Sequence, residues 1–462
     1  MQRNTSTKLQ SLTLQYQLLC INSVNEETLR NPHFINHHIQ PSDPSSHISF
    51  SFSVPTLFHN FTPKSAHRMQ EIPSEVLGEI LSRLPAESLL RFRCVCKAWR
   101  RTIDDPIFIK LHVHRQLLEV QDSSNGVGQL ILRGDLDTQL YSLPIESLNS
   151  DGAKIVKAAF VKNSPLESYG EAKSPVGSCN GVLLISQSKG INFLWNPLIR
   201  EFHRLPPLKL VSKKSRGLYH SVSGLGYNSA ADDYKVVRIA QVFDPRDRSF
   251  KSETVVYSLK LDCWRRIKDF PYRISRLTGG IFLKGALHWI SSTMPLKCMD
   301  DLIIGLDLGT EDYHLLPLPS ELSGLEKPSA KHLGVLGGCL ILSCHYQIER
   351  LDVWLMEDYG VESSWIKLFS IAALDSIGAV ETLRPIAYSK CKGQVLLQHD
   401  KKEFLWFDLG TRLWKKIRIN DRPTTFSSQL CLASLVRLNV GVEDGGCNNA
   451  HRQAIEKRSK VN

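Results

Sequence analysis

The residues with the most obvious chemical capability are the 16 histidines, 46 acidic residues and 11 cysteines. Nucleophilic catalysis needs a serine or cysteine on a sharp turn within reach of a base. Phosphate chemistry needs a glycine-rich loop, and zinc hydrolysis needs a His-Glu-x-x-His helix. None of these patterns occurs in the chain. Cys94 and Cys96 are two apart, there is no Cys-x-x-Cys pair, and Cys339 and Cys344 have no matching pair of histidines, so a structural zinc site lacks its ligand spacing. No catalytic residue, no metal and no cofactor is expected. The chemistry left is recognition.

Charge and cysteine usage narrow what is recognised. Against 46 acidic residues stand 57 Lys+Arg, a net charge of +11, with local clusters at Arg91–Arg101, Lys213–Arg216 and Arg452–Lys460. The excess is scattered, which reads as solvated basic faces suited to acidic partners, and no nucleic acid partner is expected. The odd number of cysteines in so long a chain argues against a disulfide framework and for a reducing compartment, cytoplasmic or nuclear. The longest apolar run, Leu333–Cys344, is broken at Gly337-Gly338 and falls short of the roughly 20 residues that span a bilayer, so no membrane partner is expected either.

Two kinds of element must position a binding surface. Residues 1–68 are rich in Ser, Thr, Asn, His and Pro without periodicity and read as a disordered extension. An organellar transit peptide is the alternative for this acid-poor stretch, and a shorter form beginning at Met69 is expected to be functionally complete. From there Ile72, Val76, Leu77, Ile80, Leu81 and Leu84 mark one face of an amphipathic helix, with Ser74 as N-cap and Glu75 and Glu79 toward its positive end. Pro85 closes it and opens a second helix carrying Leu89, Leu90, Phe92 and Val95. A third holds Cys96 and Trp99, and Asp105-Pro106 reads as N-cap and first residue of another, through Leu111. About 45 residues of short helices bury too little surface to be comfortably stable alone and should want a partner.

The stretch Ile72-Pro73-Ser74-Glu75-Val76-Leu77, Ile80-Leu81-Ser82-Arg83-Leu84-Pro85 and Ser88-Leu89-Leu90-Arg91-Phe92-Arg93-Cys94-Val95-Cys96-Lys97-Ala98-Trp99-Arg100 resembles the F-box, notably its plant form. Ile72 stands where Leu is often found, a tolerable swap in volume.

Downstream the helical period gives way to short β-rich runs separated by Gly, Asn, Asp and Pro. These runs repeat. Phe202, Trp264, Tyr313, Trp365 and Trp414 are spaced by 62, 49, 52 and 49 residues, each followed three positions on by Leu or Ile. Asn196, Ser258, Asp307 and Asp408 each precede their aromatic by six residues, and Asp-Leu-Gly-Thr occurs at both 307–310 and 408–411. A period near 50 with about four strands per unit predicts kelch-like propeller blades whose aromatics are core. Five units are visible; a degenerate sixth centres on Tyr141, and a last strand near Leu430–Leu438 is predicted to close the ring on the first segment. The stretches Cys179-Asn180-Gly181, Leu194-Trp195-Asn196-Pro197, Asp233-Tyr234-Lys235-Val236-Val237 and Asp352-Val353-Trp354 make this half similar to the F-box-associated domain of plant F-box proteins.

The expected architecture is thus an α+β multidomain chain. A disordered extension (1–68) precedes a small all-α F-box (69–114), an all-β propeller-like repeat domain (115–440) and a disordered basic tail (441–462). The resemblance implies the substrate-recognition subunit of a Skp–cullin–F-box ubiquitin ligase, which docks on a Skp-type adaptor, and through it a cullin, and presents a bound target protein. It implies adaptor contacts by Pro73, Val76, Leu77, Ile80, Leu81, Leu84, Pro85, Val95, Cys96 and Trp99. The basic residues Arg91, Arg93, Lys97, Arg100 and Arg101 would then speed encounter with an acidic adaptor. Target contacts are expected from distinctive loops between blades, at Lys213, Lys214, Arg216, Arg246 and Arg248. The alternative from another class is a stand-alone interaction or carbohydrate-binding propeller.

Overall fold

A computed structural model describes residues 73–122, 128–135, 139–148, 156–161, 172–187, 192–208, 218–244, 246, 249–274, 279–292, 301–323, 326–346, 350–372, 382–389 and 391–439. The expected extension, the Met69 start, Ile72 and the basic tail lie outside them. The chain divides into two compact units, residues 1–81 and 82–462.

The described part of the first unit is one helix, α1 (Ser74–Leu81). Ser74, expected as its N-cap, is its first helical residue, with the Leu77 amide donating to the Pro73 carbonyl at 3.0 Å. Glu75 lies in the first turn, where the helix dipole favours a carboxylate.

The second unit begins with three helices. Helix α2 (Ala86–Phe92) starts after Pro85, whose φ of −57° suits a helix entrance, and buries Ala86 and Leu89. Helix α3 (Lys97–Asp104) is capped by Cys96, whose sulfur accepts from the Trp99 amide at 3.5 Å. Trp99 meets Phe92 edge-on at 5.5 Å. Helix α4 (Pro106–Asp122) has the proline at its first position that the sequence predicts, and the Ile107 amide donates to the Asp105 carboxylate at 2.7 Å. It is far longer than predicted, 17 residues in all, and crosses the expected boundary at 114.

The rest is a six-bladed β-propeller. Five blades follow in order, at residues 172–204, 218–266, 273–316, 330–372 and 383–416, all paired antiparallel. The sixth is assembled from both ends of the domain: Phe426–Cys431 is its innermost strand and pairs with Gln129–Gly134, which pairs in turn with Leu140–Pro144. Tyr141 therefore does sit in the sixth blade, and the ring closes as predicted, but through Phe426–Cys431. Residues 432–439 lie beyond that strand and outside any sheet. Middle strands such as Asn192–Asn196 are buried along their whole length, because each blade is stacked between two others and both faces are covered.

The repeated polar residue is a turn device. Asp307 Oδ1 accepts from the amides of Gly309 at 2.7 Å and Thr310 at 2.8 Å, and Asp408 Oδ1 accepts from Gly410 at 3.1 Å and Thr411 at 2.8 Å. Four residues after each such position the chain enters the left-handed region, at Arg200 (φ 58°), Asp262 (48°), Glu311 (62°) and Arg412 (60°). The side-chain acceptor holds this turn open so that the aromatic, two residues later, re-enters the sheet. Trp264 and Trp365 are then buried, and their indole N–H groups donate to the carbonyls of Pro206 and Pro317, just past the last strand of the preceding blade, at 2.9 and 3.0 Å. Phe202, expected as core, is instead 42% exposed.

Between the third and fourth blades lies a buried polar knot. His288 is fully buried, its Nδ1 donating to the Ile281 carbonyl at 3.0 Å and its Nε2 accepting from the Tyr359 hydroxyl at 2.6 Å; His314 Nε2 is 3.2 Å from the same oxygen. Burial pushes the His288 imidazole down to about 4, with the His314 charge adding to the effect. An unfolded histidine near 6.5 binds a proton that the folded one refuses, so this contribution is fully present above pH 6.5 and is lost as the pH falls toward 4. Urea titrations are expected to show about 3 kcal/mol lost through His288 across that window, and a His288→Gln chain should show a correspondingly shallower acid slope.

Candidate functional site

Two surfaces could bind something: the outer face of the helices and the interior of the ring. On the helices, Val95 is 56% exposed, Ile107 77%, Leu111 43% and Leu118 43%. Ile107, Leu111 and Leu118 are spaced by four and seven residues and lie on one face of α4, while Phe108, Ile109 and Val113 are buried. An apolar face of this kind, left in water on a helix that already has a buried side, marks an interaction surface.

The residues predicted to meet an adaptor divide by burial. Pro73, Val76, Pro85, Val95 and Cys96 are exposed, and Ile80, Leu84 and Trp99 are partly covered. Leu77 (7% exposed) and Leu81 (0%) are covered by the chain itself. Their burial places them on the helix's own core side, as expected for part of this set, because the same periodicity that marks a partner face also marks a core side.

The helical part of the second unit is fixed to the propeller. Lys110 on α4 pairs with Asp232, which also accepts from the Tyr227 hydroxyl at 2.6 Å. Asp104 on α3 is held by Arg93 at 2.7 Å and by Arg437, from the segment after the last strand, at 3.1 Å. Burial would raise the Asp104 carboxyl, but the Arg93 hydrogen bond and charge, with Arg437 and Arg100, keep it below its usual range. The segment carrying Arg437 is itself anchored. Asn196, fully buried, donates to the carbonyls of Ser434 at 3.0 Å and Val436 at 2.8 Å, and the Ser434 hydroxyl donates to the Asn180 carbonyl at 2.7 Å. The strap, expected from the sequence as part of a closing strand, occurs once and has no repeat to reveal its role.

Of the basic cluster, Arg93 and Arg100 are thus committed to Asp104, and Arg91 donates to the Ser88 hydroxyl at 3.0 Å. Lys97 and Arg101 are exposed on α3 and remain open for a partner. Among the expected target contacts, Arg246 is exposed on a turn where its amide donates to Asp244 Oδ1 at 3.0 Å. Lys213, Lys214, Arg216 and Arg248 lie outside the described residues.

Inside the ring is a cavity of about 1010 Å³. Pro106, Ile109, Val113 and Leu117 of α4 line one end of it, beside hairpin turns such as Asn180 and Lys284-Gly285, and the innermost strands form its wall. His332 and Arg384 line it too, on adjacent blades. They are 52 residues apart, one repeat, and that spacing is the signal by which the sequence could have paired them. No cluster of three or more His, Cys, Asp or Glu residues that could hold a metal occurs among the described residues.

Comparison with known proteins bears on both surfaces. The family model for the F-box domain matches residues 69–111, and that for the F-box associated beta propeller domain matches residues 136–431. F-box protein CPR1 of Arabidopsis thaliana is 34% identical over 80% of this chain and 89% of its own length. An F-box/kelch-repeat protein of the same plant is 30% identical over 68% of this chain and 83% of its own. Among solved structures, the Dos1 propeller matches with a TM-score of 0.32 at 10% identity, over 67% of this chain and 75% of that one.

Proposed function

The chain belongs to the plant F-box proteins, in which an F-box is followed by an F-box-associated β-propeller, and on that footing we propose that it is the substrate-recognition subunit of a Skp–cullin–F-box ubiquitin ligase. The observation that supports this most directly is the pairing of an exposed apolar face, Val95, Ile107 and Leu111, with helices fixed to a propeller. Such a face suits a Skp-type adaptor, which would link the chain to a cullin. The propeller would hold a target protein.

In this role the chain performs no chemistry of its own. Holding a target beside a charged conjugating enzyme raises the effective concentration of the reacting groups, and that gain needs a fixed geometry between the two bound partners. The Lys110–Asp232 and Arg437–Asp104 pairs supply such rigidity between α3–α4 and the ring. The eight described cysteines are all free, in keeping with a cytoplasmic or nuclear setting.

Isothermal titration of the full chain with a purified Skp-type adaptor tests the reading. A one-to-one complex with a Kd of about 10⁻⁷ M or tighter is expected. Absence of heat, with the two proteins eluting separately, would favour the stand-alone binding propeller instead.

A further inference from the structure

We propose that the central channel of the propeller binds a small molecule with an apolar body and a single carboxylate head, the head being held by the guanidinium of Arg384. The wall of the channel is mostly hydrocarbon, contributed by residues such as Val176, Ile281, Leu333, Ile386 and Leu430. Its volume of about 1010 Å³ is of the size that takes an organic ligand.

Among the described innermost strands Arg384 is the one charged residue that lines the cavity; Lys110, Lys260, Lys284 and Arg437, which also line it, stand on α4, on hairpin turns and in the strap. Arg384 stands second in the inner strand Leu383–Tyr388, four residues or roughly 13 Å from the strand end nearest α4. Its side chain is open to the channel, and its guanidinium is fully charged at neutral pH.

The guanidinium has only neutral partners. Nη2 donates to Gln398 Oε1 at 3.0 Å and to Ser428 Oγ at 2.9 Å, and also to the Ser428 carbonyl. Among the described residues no carboxylate pairs with it. The acids that do line the cavity are engaged at the end nearest α4: Asp104 by Arg93 and Arg437, Asp232 by Lys110, and Asp233 by the Lys260 amide. A guanidinium facing a largely apolar channel without a counter-charge favours an anion, and its remaining N–H groups form a planar fork matched to a carboxylate.

His332 lies on the adjacent inner strand, close enough for the Arg384 charge to act on it, and burial with that charge holds the imidazole below its usual range. It is therefore neutral at pH 7 and can offer one hydrogen bond without competing for the anion.

The test uses matched probes on the full chain by isothermal titration: decanoate against decanol, and 2-naphthoate against 2-naphthol. At least one carboxylate is expected to bind one-to-one and at least ten-fold more tightly than its alcohol. Arg384→Gln should remove that preference while leaving alcohol binding unchanged, and Arg384→Lys should retain part of it. Equal binding of acid and alcohol, no binding of either acid, or a preference that survives Arg384→Gln would overturn the proposal and leave Arg384 as a tie between two strands. Should Arg384→Gln fail to fold, Arg384→Lys takes its place, and an acid preference that it leaves at full strength would overturn the proposal.

Discussion

Replacing Trp365 by alanine is expected to lower the unfolding free energy by about 4 kcal/mol, whereas the same change at Phe202 should cost about 1 kcal/mol or less. The two residues hold the same aromatic place in the repeat but differ in burial and in the indole donor that only Trp365 carries. Trp365 is 6% exposed and packs in a cluster with Leu316, Leu333, Leu342, Trp354 and Met356, drawn from two neighbouring blades. Removing its ring opens a cavity between the third and fourth blades and leaves the Pro317 carbonyl without its indole donor. Phe202 is 42% exposed and touches Phe193 edge-on at 6.0 Å, a contact that alanine forfeits with little rearrangement. Urea unfolding followed by tryptophan fluorescence and circular dichroism would measure both. Equal losses would mean that the repeat position, rather than what covers it, sets the contribution.

That contrast also shows what can be read from the chain. The repeat of polar residue, turn and aromatic is a local device present in four blades, and the fourth blade keeps the aromatic, Trp365, after a longer turn. It leaves a period near 50 in the sequence, and the propeller follows from it. Whether a given copy is covered depends on the neighbouring blade, which is why Trp365 and Phe202 look alike in sequence and differ in burial.

Helix α4 illustrates a second limit. Its end leaves no clear mark in the sequence because Phe108, Ile109 and Val113 face inward while Ile107, Leu111 and Leu118 face water. Apolar residues on several sides blur the single stripe on which periodicity depends. The strap at 432–439 is used once and belongs to no motif, and Arg384 shares only a repeat spacing with His332, which says nothing of its partners. Only the partners they meet in space, Asn196 and Asp104 for the strap and Ser428 and Gln398 for Arg384, give them meaning.

Substituting Val95 and Ile107 together by aspartate is expected to weaken binding of a Skp-type adaptor at least 100-fold while leaving the thermal unfolding midpoint nearly unchanged. At 56% and 77% exposure the two side chains contribute little to the fold, and surface changes of this kind usually stay within about 0.5 kcal/mol. In a complex they would be desolvated. Apolar anchors at the centre of an interface are worth about 2 kcal/mol or more each, and two buried carboxylates without partners add to the loss. A control at Leu89, fully buried in α2, should behave in the opposite sense: Leu89→Ala lowers stability, by about 3 kcal/mol, before it touches binding.

Charge reversal at Lys97 and Arg101 should act differently again. It should slow association at low salt and leave the dissociation rate nearly unchanged, because both side chains are exposed and steer encounter without being buried by it. Should the aspartate variant bind the adaptor as tightly as the wild-type chain, docking would have to use the α1 side, where Pro73 and Val76 are exposed apolar residues. The apolar face of α4 would then belong to a different partner.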